Sequence, residues 1–401
     1  MKIEVALPFR PEWEQVTARR LFDRARREPH EDDGIVTAFR DGQVTLRSNR
    51  RVEGFTNAVQ EIGYQGVRVG DLVIHSMDGF AGAIGVSDSD GKSSPVVHCF
   101  VPHGGTDCRY YAYLLRVLAQ RGFITSLAKG IRERSTAFDV EAFRSLVLPH
   151  PPLAEQRAIA DYLDAETVRI DALIAKKQQL IHLLEERWAA TLTTAFDCPS
   201  GLRLKHLLGA PMAYGVLVPD HVPDGPMMLR ISDFRHGDPD PALVARISET
   251  LHNQYRRTIV QEGDLVVSVV GTLGRAAIVA RRFARANLNR PLARVQLRHD
   301  VPVDLIRMWC GSSQFAHQAE LVTGTDSAQP TLNLGDLKNF RVGLPLAPSA
   351  WGPIRQRLQR AEASWEQTQG AVTRQLHLLA EHRQALITAA VTGEFAVPGA
   401  E

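Results

Sequence analysis

The feature that most constrains this chain is that it repeats itself. Gly70-Asp71-Leu72-Val73 returns as Gly263-Asp264-Leu265-Val266, 193 residues later, and His182-Leu183-Leu184-x-Glu186 returns as His377-Leu378-Leu379-x-Glu381, 195 residues later. At the second offset Ala190 matches Ala385, Thr193 matches Thr388 and Ala195 matches Ala390, while Leu148-Pro149 is echoed by Leu344-Pro345. One four-residue match arises by chance; several in the same order do not. The pattern implies two copies of one unit of about 195 residues, and a chain of 401 residues holds two of them.

Each copy divides into two unlike parts. Residues 1–152 and 197–348 are mixed in character. Short apolar runs such as Leu72-Val73-Ile74 and Leu265-Val266-Val267 read as strands, separated by turns such as Ser87-Asp88-Ser89-Asp90-Gly91. Helical runs around residues 112–120 and 302–310 make both parts α+β globules. Residues 153–196 and 349–392 are nearly free of glycine and rich in helix formers. In the second of these, Leu358, Trp365, Val372, Leu379 and Leu386 recur every seven residues; in the first the equivalents are Leu163, Ile170, Lys177, Leu184 and Thr191. Ile159, Leu173, Ile174, Leu180, Ile181, Trp188 and Leu192 complete that stripe.

A sustained spacing of seven predicts coiled-coil helices. Pro149, Pro151 and Pro152 close the first globule and let its helix begin, and Gly393 ends the second helix before a tail over residues 393–401. Each helix would run about 60 Å at 1.5 Å per residue, longer than a small domain is wide. Most of the stripe therefore needs another long helix, and the two supply one for each other. If they pack antiparallel, a pseudo-two-fold axis relates the copies, the arrangement by which one chain imitates a symmetric dimer on two DNA half-sites.

Bulk composition narrows the class without naming it. A hydrophobic content of 44% with 23% charged residues describes an ordinary folded protein. No stretch reaches ~20 uninterrupted apolar residues, and the opening MKIEVALPFRPEW has no apolar signal core, so we expect a cytoplasmic protein with no membrane partner. Cys99, Cys108, Cys198 and Cys310 are scattered and form no disulfide framework. Net charge is only +2, and seven of the 47 basic residues are lysine, so the positive charge is carried by planar, bidentate guanidinium groups.

Catalytic patterns are absent from the sequence. The segment from Gly85 to Ser93 approaches a phosphate loop but places five residues between its glycines where four are needed. His98, Cys99, His103 and Cys108 cluster at irregular spacing that the second copy lacks, which argues for ordinary strand and loop residues and no metal site.

The remaining motifs resemble one family. Pro151-Pro152-Leu153-Ala154-Glu155-Gln156-Arg157-Ala158-Ile159, continuing through Asp161-Tyr162-Leu163-Asp164 and Arg169-Ile170-Asp171, is similar to the Pro-Leu-x-Glu-Gln-x-x-Ile signature of the specificity subunits of type I restriction–modification systems. The segment from Gln384 to Gly393 resembles that family's C-terminus. Gly263-Asp264-Leu265-Val266-Val267-Ser268 with Gly271-Thr272-Leu273-Gly274, Asn287-Leu288-Asn289-Arg290 and Thr331-Leu332-Asn333-Leu334 resemble its target recognition domains. One departure is Ala350-Trp351-Gly352-Pro353-Ile354, where the family shows Glu-Gln-Arg at the root of the second helix. That puts the local partner contact there in doubt.

The resemblance implies an α+β chain of two target recognition domains, residues 1–152 and 197–348, joined by two long antiparallel coiled-coil helices acting as spacers. It implies a non-catalytic subunit that reads a bipartite site on double-stranded DNA. Two modification subunits would dock on the helical region and methylate adenine, and restriction subunits are further partners that translocate and cut. No cofactor is expected in this subunit; S-adenosylmethionine belongs to the modification subunits, and ATP and Mg to the restriction subunits. The competing reading is a stand-alone two-headed DNA-binding protein.

Guanidinium and amide groups pair with guanine and adenine edges in the major groove. In the first globule the candidates are Arg40, Arg47, Asn49, Arg50 and Arg51, around an Asp41-Gly42 hairpin turn. In the second they are Arg230, Arg235, Asn253, Gln254, Arg256, Arg257, Arg275, Asn289 and Arg290, with Arg275 beside the glycine-bounded turn over residues 271–274. Leu163, Ile170, Leu184, Leu358, Trp365, Val372, Leu379 and Leu386 are the candidates for helix–helix and partner contact.

Overall fold

The computed structural model describes residues 2–50, 62–127, 137–199, 201–234, 239–324 and 329–399. Two compact units emerge, one made of Met1–Lys176 with Arg374–Glu401 and the other of Lys177–Thr373. Each unit holds one globule, the N-terminal half of the long helix that follows it and the C-terminal half of the other long helix.

The two globules share a sheet topology. In the first, four antiparallel strands lie in the order Phe22–Arg24, Val97–Pro102, Leu72–His75, Ile84–Val86. In the second the order is Ala213–Tyr214, Leu292–Val295, Leu265–Ser268, Ala276–Ile278, again antiparallel throughout. The strand that carries the repeated Gly-Asp-Leu-Val segment is an inner strand in both. A helix follows the sheet in each copy, Cys108–Gln120 and Val303–Cys310, where the sequence places helical runs.

The repeated tetrapeptide has a physical reason. Gly70 and Gly263 take φ of +90° and +83°, a left-handed conformation that glycine adopts without a Cβ penalty. The next residue is a buried carboxylate. Asp71 accepts the backbone N–H of Arg68 at 2.9 Å and the guanidinium of Arg27. Asp264 accepts the N–H of Gln261 and Nε of Arg294, both at 2.7 Å. A buried charge must be paired and hydrogen-bonded, so Asp and its arginine lock the turn that launches the strand.

Two unbroken helices, Leu153–Ala195 of 43 residues and Trp351–Thr392 of 42, match the heptad segments. They pair antiparallel within each unit. In the first, Tyr162 packs on Phe395 while Asp171 binds Arg383 through two bonds of 2.9 and 3.1 Å, so residue numbers rise along one helix as they fall along the other. In the second, Leu192 and Ala195 share a core with Trp351 and Leu358 while Trp188 stacks on Trp365 at 5.9 Å.

Each globule grips the head of its own helix. Leu163 and Leu358, 195 residues apart, are both fully buried, and each lies in a globule core. Ion pairs reinforce the grip: Arg109 bonds Asp161 and Asp164 at 2.7 and 2.9 Å, and Arg307 bonds Glu362 at 2.6 Å. The Glu-Gln of the first helix root is structural. Glu155 accepts Nη1 of Arg10 and Nε1 of Trp13, each at 3.1 Å. Buried Gln156 accepts the N–H of Asp107 at 2.9 Å and donates to the carbonyls of Pro151 and Gly105 at 2.7 and 3.1 Å. At the equivalent position of the second helix stands Trp351, also buried, whose indole donates to the carbonyl of Pro345 at 2.8 Å. The departure at residues 350–354 thus keeps a buried donor aimed at a carbonyl of the segment that leads into the helix.

The heptad reading needs two corrections. Leu173 and Leu180 are 47% and 37% exposed, so they lie outside the seam in which their spacing placed them. Nor does the shared spacing of seven put equivalent residues opposite one another: Leu163 shares its core with Ile387, Ala390 and Val391, and Leu358 with Leu192 and Ala195. Ile170 and Val372 are buried, whereas Leu184, Trp365, Leu379 and Leu386 are half-buried. Within each unit, globule side chains fill the core around the head of the helix.

Replacing Gln156 by Ala leaves the Asp107 N–H and two carbonyls without partners and opens a small void. We expect a loss of about 2–4 kcal/mol in urea denaturation. Trp351→Phe removes one hydrogen bond and one ring of a buried indole, and the expected loss is about 2–3 kcal/mol.

Candidate nucleic-acid interface

In the first globule the candidates sit on a hairpin. Strands Val36–Ala38 and Val44–Leu46 pair antiparallel, and Gly42 at φ +93° turns the chain, its N–H donating to Phe39. Arg40, Arg47 and Arg50 come together on the wall of an open cleft of about 740 Å³, with His75 and Asp78 opposite. Arg50 pairs with Asp41 at 2.6 Å and lies 4.2 Å from the Phe39 ring centroid. Arg40 pairs with Asp78 at 2.8 Å, and Nε of Arg47 donates to Thr37 Oγ1 at 3.0 Å.

Arg47 and Arg50 are therefore held in set positions, whereas Arg40, 68% exposed, is tethered by one surface ion pair. Burial pushes the Asp41 carboxyl up, but bonds from Arg50 and the Gln43 N–H outweigh it and hold the group below the usual carboxylate range. Burial lowers His75, with Asp78 opposing and Arg40 adding to the effect, which keeps the imidazole neutral near pH 7. A guanidinium fixed by one carboxylate keeps further N–H groups for a base edge, and its ordering cost is already met in the free protein. Asn49 is turned inward to donate to Thr45 Oγ1 at 3.0 Å, outside the lining of this cleft. Arg51 lies outside the described residues.

The second globule scatters its candidates. Arg230 is pinned to Asp233 at 2.9 Å. Asn253 lines an open cleft of about 460 Å³ with Arg246, His252 and Arg285, and the lining includes neither Arg230, Arg275 nor Arg290. Gln254, Arg256 and Arg257 follow Asn253 on exposed backbone, and Arg275 and Arg290 are exposed with no side-chain partner among the described residues. Asn289 accepts the N–H of Arg290 at 2.8 Å. Arg235 lies outside the described residues.

Sequence reasoning missed three residues of these clefts: His75, Arg246 and Arg285. Arg285 holds φ at +73°, a conformation costing a non-glycine residue roughly 1–2 kcal/mol, and its N–H is tied to Val260 O at 2.8 Å. Nothing in the local sequence marks it, because the strain is imposed by the neighbouring chain. Among the described residues no group of histidine, cysteine and carboxylate side chains is arranged to hold a metal, and no helix is long and apolar enough to cross a membrane.

No family profile matches the chain. Among curated proteins it is 28% identical over 279 residues to the type I restriction enzyme EcoBI specificity subunit of Escherichia coli, and 24% identical over 260 residues to the EcoKI specificity subunit of Escherichia coli strain K12. Those matches take in 62% and 59% of this chain and span 58% and 54% of the relatives' own lengths. The folds agree over far more. A solved chain described under complex assembly and conformational transition of the type I R-M system superposes with a TM-score of 0.73 at 18% identity, over 96% of this chain and 99% of the other. The fold is that of a type I specificity subunit. The HsdS subunit from Thermoanaerobacter tengcongensis superposes with a TM-score of 0.53 at 18% identity, over 98% of this chain and all of its own length.

Within the specificity-subunit fold, the hairpin cleft and the Asn253 cleft each belong to one globule. Alanine at Arg47, Arg50 or Arg275 should separate two kinds of contact. Loss of a base-reading arginine costs about 1–3 kcal/mol in binding and relaxes one motif position; loss of a phosphate-binding one weakens all duplexes alike and flattens the salt dependence. Unchanged affinity, motif and salt slope in all three variants would place the reading surface elsewhere.

The cysteines give an independent check on the fold. Burial pushes the thiols of Cys99, Cys108 and Cys310 up to about 12. At pH 8 about one in ten thousand of each is thiolate. Iodoacetamide should leave all three unmodified in the native chain, as mass spectrometry would read, and label them once urea unfolds it.

Proposed function

We propose that this chain is the specificity subunit of a type I restriction–modification complex, and that its two globules each read one half of an interrupted DNA sequence. The observation that carries this reading is the duplicated four-stranded sheet with its own long helix in each copy, in a fold shared along nearly the whole chain with a type I system subunit. A reader of two half-sites needs two similar binding surfaces at a set separation, and paired helices are the stiffest separators a single chain can supply.

The chain's own work is recognition. Positioned guanidinium forks in the first globule, Arg40, Arg47 and Arg50, suit guanine edges and phosphates. Arg256, Arg257, Arg275 and Arg290, exposed and with no side-chain partner among the described residues, suit phosphates in the second. Methyl transfer to adenine falls to two modification subunits docked on the helical region, which bring S-adenosylmethionine. Cleavage falls to restriction subunits with ATP and Mg. The complex would work in the cytoplasm, where its DNA lies.

Methylome sequencing of the host with and without this chain tests the proposal. A methylated adenine motif in two parts should vanish when the chain is removed. Exchanging residues 1–150 for the matching part of a relative should alter one half of the motif and leave the other intact. A motif that survives removal of the chain, or that changes in both halves on the exchange, would overturn the reading.

A further inference from the structure

A second cleft in the first globule, about 600 Å³, opens where strands Phe22–Arg24 and Val97–Pro102 pair. Its carboxylates are all occupied. Asp23 binds Nε2 of His103 at 2.8 Å, Asp139 accepts the N–H of Ala142 at 2.7 Å, and Glu141 pairs with Arg144 at 3.7 Å. Its arginine is not. Arg24 is half-buried, its Nε is sealed from solvent without a hydrogen-bond partner, and its guanidinium meets no counter-ion among the described residues. Nδ1 of the neighbouring His98 is buried and unpartnered as well. Arg26 stands exposed at the rim.

An arginine cannot shed its charge, so a desolvated guanidinium with an orphaned N–H lowers stability unless something outside the chain completes it. Completion calls for an anion with acceptor oxygens. The lining holds no phenyl, phenol or indole ring to stack on a base, and its one imidazole, His98, has a buried Nδ1 better suited to donating a hydrogen bond, so the fitting ligand is a phosphate group borne on something that stays outside the cleft.

The cleft's place in the sheet says what that something is. His98 follows Val97, which pairs with His75, and His75 lines the hairpin cleft. Val97 and Cys99 pack in the core beneath the hairpin, whereas Phe100 packs on the other side with Phe22. The two clefts therefore flank one end of the same sheet, one on each face.

We propose that this cleft seats a phosphodiester of the DNA backbone beside the half-site read by the hairpin, with Arg24 as its charge partner and His98 and Arg26 as hydrogen-bond donors. The assignment rests on the DNA-reading function proposed above. It adds a residue that positions the duplex without reading it.

The test uses the full chain, with its modification subunits where they co-purify, and the variants Arg24→Met and Arg24→Lys. Fluorescence anisotropy measures binding to a duplex carrying the methylated motif and to an unrelated duplex, between about 50 and about 300 mM salt. Arg24→Met should weaken both duplexes by the same factor and make the plot of log Kobs against log salt shallower by about 0.9, the share of one phosphate. Arg24→Lys should keep most of the slope. The melting temperature of Arg24→Met should equal or exceed that of the parent chain, because the substitution removes an orphaned buried donor. An unchanged slope, a loss confined to the target duplex, or lost binding with a lowered melting temperature would each overturn the assignment while leaving the DNA-reading function standing. Failure of the parent chain to bind either duplex would overturn both.

Discussion

The grip of each globule on the head of its own long helix is the constraint on which the rest depends. An isolated helix of 43 residues with a narrow apolar stripe has little to hold it in one orientation. Here the stripe's first layers, Leu163 and Leu358, are sealed in globule cores, and ion pairs from the globule helices fix their rotation. Buried polar ties at Gln156 and Trp351 then set the angle at which each helix leaves its globule, because a misaligned helix would leave a buried donor without its acceptor. A surface on either globule thereby takes a definite direction relative to its own helix, which a reader of spaced half-sites requires.

Duplication preserved these mechanical roles while letting their chemistry diverge. Amide and indole occupy equivalent buried positions 195 residues apart, and each donates to a carbonyl near the end of its globule. The helix crossings diverge in the same way. In the first unit the crossing is Asp171 with Arg383, an exposed bidentate ion pair; at the corresponding place in the second, Trp188 stacks on Trp365. An exposed ion pair contributes up to about 1 kcal/mol and an aromatic pair somewhat more beyond its buried area, so either closes a crossing that the surrounding apolar layers already favour.

Charge in the hairpin cleft is arranged for geometry more than for field strength. Arg40 and Arg50 each surrender part of their positive potential to an aspartate and gain a set orientation in return. With a net charge of +2 the whole chain would exert little long-range pull on DNA, so under the proposed function discrimination must come from placed forks and local phosphate contacts. Arg285 in its left-handed conformation and Arg24 with its buried, unpartnered Nε are costly placements, and both lie at open clefts.

Much of the architecture was legible in the sequence because it rests on short-range rules. Heptad spacing, the near absence of glycine and the prolines before Leu153 are enough to call two long helices, and the repeated Gly-Asp-Leu-Val is enough to call two related globules. The Asp41-Gly42 turn likewise announced its hairpin, since its left-handed glycine is a local requirement. Register and partnership were not local. Leu173 and Leu180 obey the apolar spacing yet face outward, because the antiparallel partner covers a stripe narrower than the sequence pattern. An arginine reads the same in sequence whether it is pinned, as Arg230 is by Asp233, or without a counter-ion among the described residues, as Arg24 is. Which of the two it becomes depends on carboxylates brought near by other strands, and only the tertiary structure decides that.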